Sequence, residues 1–331
     1  MTESKLRNLI KNRNVAFITV KNKEYIRTAQ IAQMLEQEAG NYKIYTSEKN
    51  SPATRAVDIR RRLKNISFED VDVVILGFLP QLIIDAVSKK IPEGTVVVAE
   101  MFLSLYDTVV LDRQLVRKDG IISGICRRLD EKTVEKADLV VTDTKADATF
   151  FSSEFGKNTT KFETLYLEAQ ELPLPAESSF FPKTSKTVLY FGTGLPLQGT
   201  NYVIQAFREL TEKYGYKCIY IGGRRSMTRQ NADYLKKGSI TYIEWLTKDK
   251  LFEIIMQADI CLAGHFDPNI DKADRTIPGK AYIYEKAGKP MILGDTTANH
   301  ELFSSDNRHI FVKRGDFKKI VEAVIALSEK I

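Results

Sequence analysis

The chain has 331 residues, 43% of them hydrophobic and 28% charged, which is ordinary globular composition with enough apolar material for two cores. No apolar run approaches the ~18 residues of a membrane-spanning helix, the opening MTESKLRNLIKNRNVAF lacks the apolar core of a secretion signal, and three scattered cysteines (Cys126, Cys218, Cys261) with His265, His300 and His309 form neither a disulfide nor a metal framework. The net charge of +6, from 49 basic and 43 acidic residues, suits small anions or an anionic membrane surface, and no basic run is interleaved with aromatics as a nucleic-acid module requires.

Apolar strands alternate with amphipathic helices along the chain, the pattern of parallel α/β sheets. NVAFITV (14–20) reads as a buried strand, and RTAQIAQMLEQE (27–38) as a helix with Ile31, Met34 and Leu35 inward. YKIYTS is a second strand, and 53–65 a basic helix. VDVVILGF (71–78), TVVVAEMF (95–102) and ADLVVTDT (137–144) are strands of the buried parallel type, the last followed by a helix to about Phe155. LYLEAQELPLPAESSFFPKTSK breaks the alternation with Pro173, Pro175 and Pro182 and reads as a linker. The pattern then restarts. TVLYFGT is a strand and NYVIQAFRELTEKYG a helix. KCIYIGG, ITYIEWL, ADICLAG and KPMILGD are further strands, and FKKIVEAVIALSEKI is a closing helix. The expectation is two doubly wound α/β domains, 1–172 and 187–331, joined by a linker at 173–186, with the closing helix a candidate to pack back toward the first domain. Ligands of such sheets sit beyond the carboxyl ends of the strands.

Two stretches of the second half carry a family resemblance. VLYFGTGLPLQGTNYVIQAFREL resembles the first strand, loop and helix of the nucleotide-binding domain in retaining glycosyltransferases of the B-type fold (GT-B), family 4 or group 1 in particular. ADICLAGHFDPNIDKADRTIPGKAYIYEKAGKPMILGDT resembles the donor-binding segment of a bacterial subgroup that reads R-x-I-P-N-K-x-Y-E, a small-residue helix, then G-K-P-V-I. In the first half, AEMFLSLYDTVVLDRQLV and ADLVVTDTKADATFFSSEFG look like that subgroup's acceptor side. The resemblance covers roughly residues 14–315 and rests on four motifs in the right order. It implies two Rossmann-like domains facing a cleft. It further implies a cytosolic, membrane-associated enzyme that moves a sugar from a nucleoside diphosphate, UDP favoured, to a glycan or lipid-linked acceptor in bacterial surface-glycan assembly. Neither a cofactor beyond the donor nor a catalytic metal is implied.

The loop from Gly192 to Gly199 follows a strand and opens a helix, a place where glycines admit a ligand and helix amides favour anions. Gly192, Thr193, Gly194, Gln198 and Gly199 are candidate donor contacts, although the loop has none of the cations relatives often carry there, and a plain strand-to-helix turn reads the same way. Arg275 to Ala281 is the stronger signal. Pro278 suits a first helical turn, the amides of Gly279, Lys280 and Ala281 can face a diphosphate, and Arg275 and Lys280 add charge. The alternative is a solvated basic loop. The family's paired glutamates, aligned on Gly288-Lys289-Pro290, fall at Arg275 and Ile283. Isoleucine accepts no hydrogen bond from a ribose hydroxyl. Glu285, two residues on, lies about 200° around an α-helix and substitutes only if the helix start is distorted; otherwise it is a surface charge. Trp245 is placed to stack on the base, with backbone atoms of Leu246 and Thr247 beside it, unless it is core.

On the acceptor side, Asp107 and Glu100 lie just past a strand end as candidate catalytic carboxylates, Asp107 reading equally as a helix cap. Arg55, Arg60, Arg61, Arg62 and Lys64, with Ile59, Leu63 and Ile66, suit a helix lying on an anionic leaflet at the inner face of the plasma membrane, or a solvated basic face. The leading expectation is a transferase. A degenerate, non-catalytic relative that binds nucleotide or glycan beside an active partner, and a two-domain binding protein, stand behind it. No G-x-G-x-x-G follows a strand, which argues against a dehydrogenase.

Overall fold

The computed structural model describes residues 4–155, 159–169 and 186–330. The chain divides into two compact units, Met1–Glu168 and Ala169–Ile331. The linker expected at 173–186 falls, except for its last residue, outside the described residues.

The first unit is a six-stranded parallel sheet. Its strands are β1 (Asn14–Thr19), β2 (Asn41–Tyr45), β3 (Val73–Gly77), β4 (Val96–Glu100), β5 (Leu139–Thr142) and β6 (Phe162–Thr164). They are ordered β2-β1-β3-β4-β5-β6, so the order reverses between β1 and β3. β3 and β5 are buried at every residue, as strands covered by helices on both faces must be. The helix Pro52–Arg62 starts at a reciprocal cap in which Ser51 and Thr54 satisfy each other's amides.

The second unit is also a six-stranded parallel sheet. Its strands are β7 (Thr187–Gly192), β8 (Lys217–Gly222), β9 (Thr241–Ile243), β10 (Ile260–Gly264), β11 (Met291–Gly294) and β12 (His309–Val312). The order β12-β11-β10-β7-β8-β9 reverses between β7 and β10. The helix Thr200–Tyr214 buries Val203, Ile204, Phe207 and Leu210, a stripe at helical spacing, and Gly215 ends it at φ 69°. The closing helix Phe317–Ser328 packs on Thr200–Tyr214 and on β10, β11 and β12, so its apolar face (Ile320, Val321, Val324, Leu327) is spent within its own domain.

Several elements escape the sequence pattern, among them one long helix and two strands. The helix Ile121–Lys136 turns Ser123, Cys126, Asp130, Thr133 and Val134 inward, a face too polar to show apolar periodicity. β6 and β12 are short edge strands that are only partly buried, so neither shows a continuous apolar run. All three cysteines are buried free thiols, and no helix among the described residues is long and apolar enough to cross a membrane.

Candidate functional site

The reversal between β7 and β10 opens a crevice at the carboxyl ends of these strands, where open α/β sheets bind ligands. Three chain segments meet there: the loop after β7, the residues just after β10, and the start of the helix Gly279–Lys286.

The loop after β7 is a braced turn. Gln198 folds its side chain inward, and its Oε1 accepts from the N–H groups of Gly194 (2.9 Å) and Leu195 (3.2 Å). Its amide oxygen therefore serves the loop and is not offered to a donor, which corrects its assignment as a contact. Gly194 (φ 72°) and Gly199 (φ 64°) hold left-handed conformations, and a Cβ at either would lie 2.6 Å from backbone of Gly223 or Asp267. These two glycines are required by chain packing. Thr193 is exposed at the loop's tip. Gly223 and the Arg225 amide press on Gly194 from the loop after β8. Arg224 and Arg225 thus stand beside the cation-free loop, Arg224 over the Tyr242 ring at 5.2 Å. Sequence reasoning missed both, because it looked for charge inside the loop and not in its neighbour across the sheet.

The helix Gly279–Lys286 begins without a side-chain cap. The Ala281 N–H donates to the Pro278 carbonyl at 2.8 Å, so it is not one of the free amides expected. Those of Gly279 and Lys280 have no partner among the described residues. Gly279 is exposed, and a Cβ there would meet nothing within 4 Å, so the helix start faces open space. Lys280 is 6% exposed. Its Nζ has no hydrogen-bond partner and sits 3.8 Å from the centroid of the Tyr190 ring. Burial drives its pKa well below the ordinary lysine value. His265, the first residue after β10, is also enclosed, with Nδ1 unpartnered. Burial, then the charges of Lys280, Lys272 and Arg314, push its pKa down to about 3, so it is neutral. Arg314 is occupied, donating to the carbonyls of Asp267 (3.1 Å) and Ile270 (3.3 Å). Arg275 is half-buried at the end of the helical turn Lys272–Arg275.

The crevice therefore holds a buried lysine nitrogen without an acceptor, a neutral imidazole with a free ring nitrogen, and two unpartnered backbone donors. Buried polar groups are almost always satisfied, and an enclosed cation without a counter-charge is costly. Such an arrangement stabilises an anion that enters it. Of the cluster, His265, Lys272 and Arg314 were not anticipated. A histidine directly after an apolar strand, in LAGHF, was the available signal.

Other expected donor contacts lie elsewhere. Glu285 is held by His309 Nε2 (2.8 Å) and Arg308 Nη2 (3.0 Å), which ties the helix to β12; it is not a free ribose acceptor. Trp245 falls past the end of β9 and is 75% exposed, so it is not core. Leu246 is half-buried beside it, and the Thr247 hydroxyl caps the helix Lys248–Gln257. Ile283 is half-buried.

The acceptor-side carboxylates are corrected too. Glu100 ends β4 at 3% exposure. One oxygen lies 3.1 Å from Arg27 Nε, and the other accepts from the N–H of Phe78 (3.0 Å). Arg27, fully buried, also bonds Asp143, the Gln30 Oε1 (2.7 Å) and the Leu165 carbonyl. Glu100 is therefore an internal tie, not a base presented to an acceptor. The turn it supports is strained, with Phe78 at φ 37° and Leu79 at φ 61°. Asp107 is 1% exposed and is neither base nor cap. Ser104 is the cap, its Oγ accepting from the Asp107 N–H (3.0 Å), while Asp130 accepts from the Ser104 hydroxyl and from the amides of Leu105 and Tyr106. What the reversal point of the first sheet does present is an aromatic group. Tyr25, Phe78 and Phe102 pack with centroids 5.4–6.1 Å apart, and Lys21 lies over Tyr25 and Phe78.

The basic helix is corrected in part. Ala56, Ile59 and Leu63 belong to the core of the first domain, with Ile66 packed against it, so no apolar face is left for a leaflet. Arg60, Arg61 and Lys64 are exposed. Arg55 donates to the Lys49 carbonyl and Arg62 to that of Thr46. Among the described residues no group of three His, Cys, Asp or Glu side chains is placed to hold a metal.

Comparison with known proteins agrees with this frame. Residues 185–330 match the family model described as "Glycosyl transferases group 1". No curated protein matches the sequence. Among solved structures, sucrose-phosphate synthase from Thermosynechococcus elongatus has a TM-score of 0.72 at 12% identity, covering 96% of this chain and 90% of that one. Anabaena Alr3699/HepE in complex with UDP and glucose has a TM-score of 0.63 at 12% identity, covering 96% and 91%. A glycosyltransferase from Rickettsia africae has a TM-score of 0.62 at 11% identity, covering 96% and 89%. The chain thus has the two-domain GT-B fold, and its second domain matches the model of the group 1 glycosyltransferases.

Proposed function

We propose that this protein transfers a sugar from a nucleoside diphosphate sugar, with UDP the favoured carrier, to a glycan or lipid-linked acceptor, with retention, in the assembly of a bacterial surface polysaccharide or glycoconjugate. The observation that carries the proposal is the Lys280 ammonium, enclosed without an acceptor beside His265 at the reversal of the second sheet. The group 1 family match over this domain supports a sugar donor, and Anabaena Alr3699/HepE, similar in fold, binds UDP and glucose.

In this reading the diphosphate accepts from Lys280 and from the amides of Gly279 and Lys280, with Arg275 at the rim. Trp245 lies against the base. Lys280 stabilises the negative charge that grows on the leaving phosphate oxygen, and the neighbouring aromatic rings keep that site poor in water. Glu100 and Asp107 are enclosed, so the acceptor's proton passes to the leaving phosphate oxygen. The bond from the sugar's anomeric carbon to the acceptor oxygen forms on the face from which the phosphate bond breaks, which retains configuration. The aromatic group of Tyr25, Phe78 and Phe102 offers the acceptor an apolar platform. No cofactor beyond the donor enters the scheme.

One observation favours a second reading. Ile283 stands where a ribose-binding glutamate is expected, and Glu285, tied to Arg308 and His309, does not replace it, as in a degenerate relative that binds nucleotide without turnover. One experiment separates the two. The chain has a single tryptophan, so titration with UDP, GDP and ADP is followed by its fluorescence and by calorimetry, and radiolabelled UDP-sugars are then assayed for hydrolysis or transfer. The expected result is UDP binding and turnover, the turnover lost in Arg275→Ala. Binding without turnover establishes the degenerate reading. No affinity near millimolar for any of the nucleotides overturns the donor site itself.

A further inference from the structure

The first domain carries an apolar surface that its fold does not use. Nine large hydrophobic side chains stand exposed among the described residues, and four of them fall within one short stretch: Leu115 (63%), Ile121 (86%), Ile122 (56%) and Ile125 (53%). The three isoleucines occupy the first turns of the helix Ile121–Lys136, at i, i+1 and i+4, and so share one face. The opposite face is the one that packs inward, through Ser123, Cys126 and Asp130. Isoleucine is a middling helix former, and one exposed by half or more contributes little burial to folding. Nothing within the domain requires three of them here.

The surroundings are cationic. Arg113, Arg117, Lys118 and Arg128 are all exposed, and Asp119 is the only exposed acid between 113 and 128. Arg127 points elsewhere, paired with Glu131 and Glu154. Isoleucines ringed by arginine and lysine are what a peripheral protein presents to an anionic bilayer: apolar side chains enter the acyl boundary, and cations lie among the headgroups. A two-fold contact with a second copy would set the same four cations against each other. Nucleic acid would use the cations and leave the isoleucines in water.

We infer that the face formed by Leu115, Ile121, Ile122 and Ile125, with Arg113, Arg117, Lys118 and Arg128 around it, docks on an anionic lipid surface. This contact is separate from the helix Pro52–Arg62, whose apolar residues are core, and it does not depend on the transferase reading.

Flotation of the full chain tests it, with vesicles of phosphatidylcholine alone and of phosphatidylcholine mixed with an equal part of phosphatidylglycerol. The protein rises with the mixed vesicles at low salt and stays behind with the neutral ones. A variant carrying Ile121→Ser, Ile122→Ser and Ile125→Ser loses flotation while keeping the parent's thermal unfolding midpoint. A second variant, Arg117→Glu with Lys118→Glu, loses flotation without any apolar side chain being touched. The inference is overturned if the parent fails to float with mixed vesicles, or if the isoleucine variant floats as the parent does. It is equally overturned if the isoleucine variant elutes from a sizing column as a smaller species than the parent, for then a second copy covers the face.

Discussion

The carboxyl edges of the two sheets both bury charge, and they do so in opposite ways. In the first domain Arg27, Glu100 and Asp143 are enclosed together, and the arginine spreads its donors over two carboxylates, Gln30 and a backbone carbonyl. In the second, Lys280 and His265 are just as enclosed, yet Nζ of one and Nδ1 of the other reach no acceptor or donor. A buried charge with its counter-charge in place is architecture. A buried cationic side chain lacking one is placed to receive an anion. This contrast moves the chemistry away from the acidic residues of the first domain and toward the basic crevice of the second.

The largest expected effect breaks the contrast on the side of the first domain. Arg27→Met leaves two enclosed carboxylates without their cation, which costs about 3–5 kcal/mol, the usual consequence of removing one member of a buried ionic group. Urea unfolding followed by circular dichroism measures it. A midpoint close to the parent's would mean that Arg27 is not the hub of the cluster.

The second effect is intermediate in size and falls on function, not on fold. Lys280→Met keeps the volume and the contact with the Tyr190 ring but removes a charge that has no protein partner. The unfolding midpoint stays where it was or rises, since no ion pair is lost. UDP affinity falls by about 1.5–3 kcal/mol, the range for a hydrogen bond to a charged group, or on the order of 10- to 100-fold. Calorimetry reads both the affinity and its loss. A variant that is destabilised but binds UDP normally would turn Lys280 into a structural residue and remove the contrast.

The sequence makes most of the sheet architecture legible and little of the partnership. β1, β3, β4, β5, β7, β8, β10 and β11 show as apolar runs because they are buried on both faces. The helix Ile121–Lys136 does not show, since its inner face carries Ser123, Asp130 and Thr133. Arg275 and Lys280 stand out through their spacing from Pro278, and Lys280 does lie in the crevice. Glu100 and Asp107 stand out just as clearly as carboxylates past a strand end, yet both are enclosed. The neighbours that settle the difference, Arg27 paired with Glu100 and His265 near the unpartnered Lys280, lie 73 and 15 residues away along the chain. Motif spacing is local, whereas satisfaction of a buried charge is decided by residues that the fold brings in from elsewhere. Glu285 shows the same limit: its engagement with Arg308 and His309 depends on β12, a partly buried edge strand without an apolar run.

The smallest effect concerns how complete the satisfied cluster is. Glu100 is the member of the group whose ionisation burial opposes. Burial pushes the Glu100 carboxyl up to about 7, with Asp143 adding to the rise and Arg27 opposing it. The folded state therefore holds this proton more tightly than the unfolded chain, whose glutamate titrates near 4.5. The resulting stability is present in full below the unfolded value and is lost as pH rises through about 7. Glu100→Gln cannot ionise, keeps an oxygen that can accept from the Phe78 amide, and leaves Arg27 paired with Asp143. Urea midpoints of the parent should decline between about pH 5 and about pH 8, and those of the variant should stay flatter over the same interval. Parallel declines would mean that Arg27 keeps Glu100 charged throughout. A flatter variant shows that the first domain meets the burial of Glu100 with a proton, whereas the second leaves Lys280 open to an anion from outside.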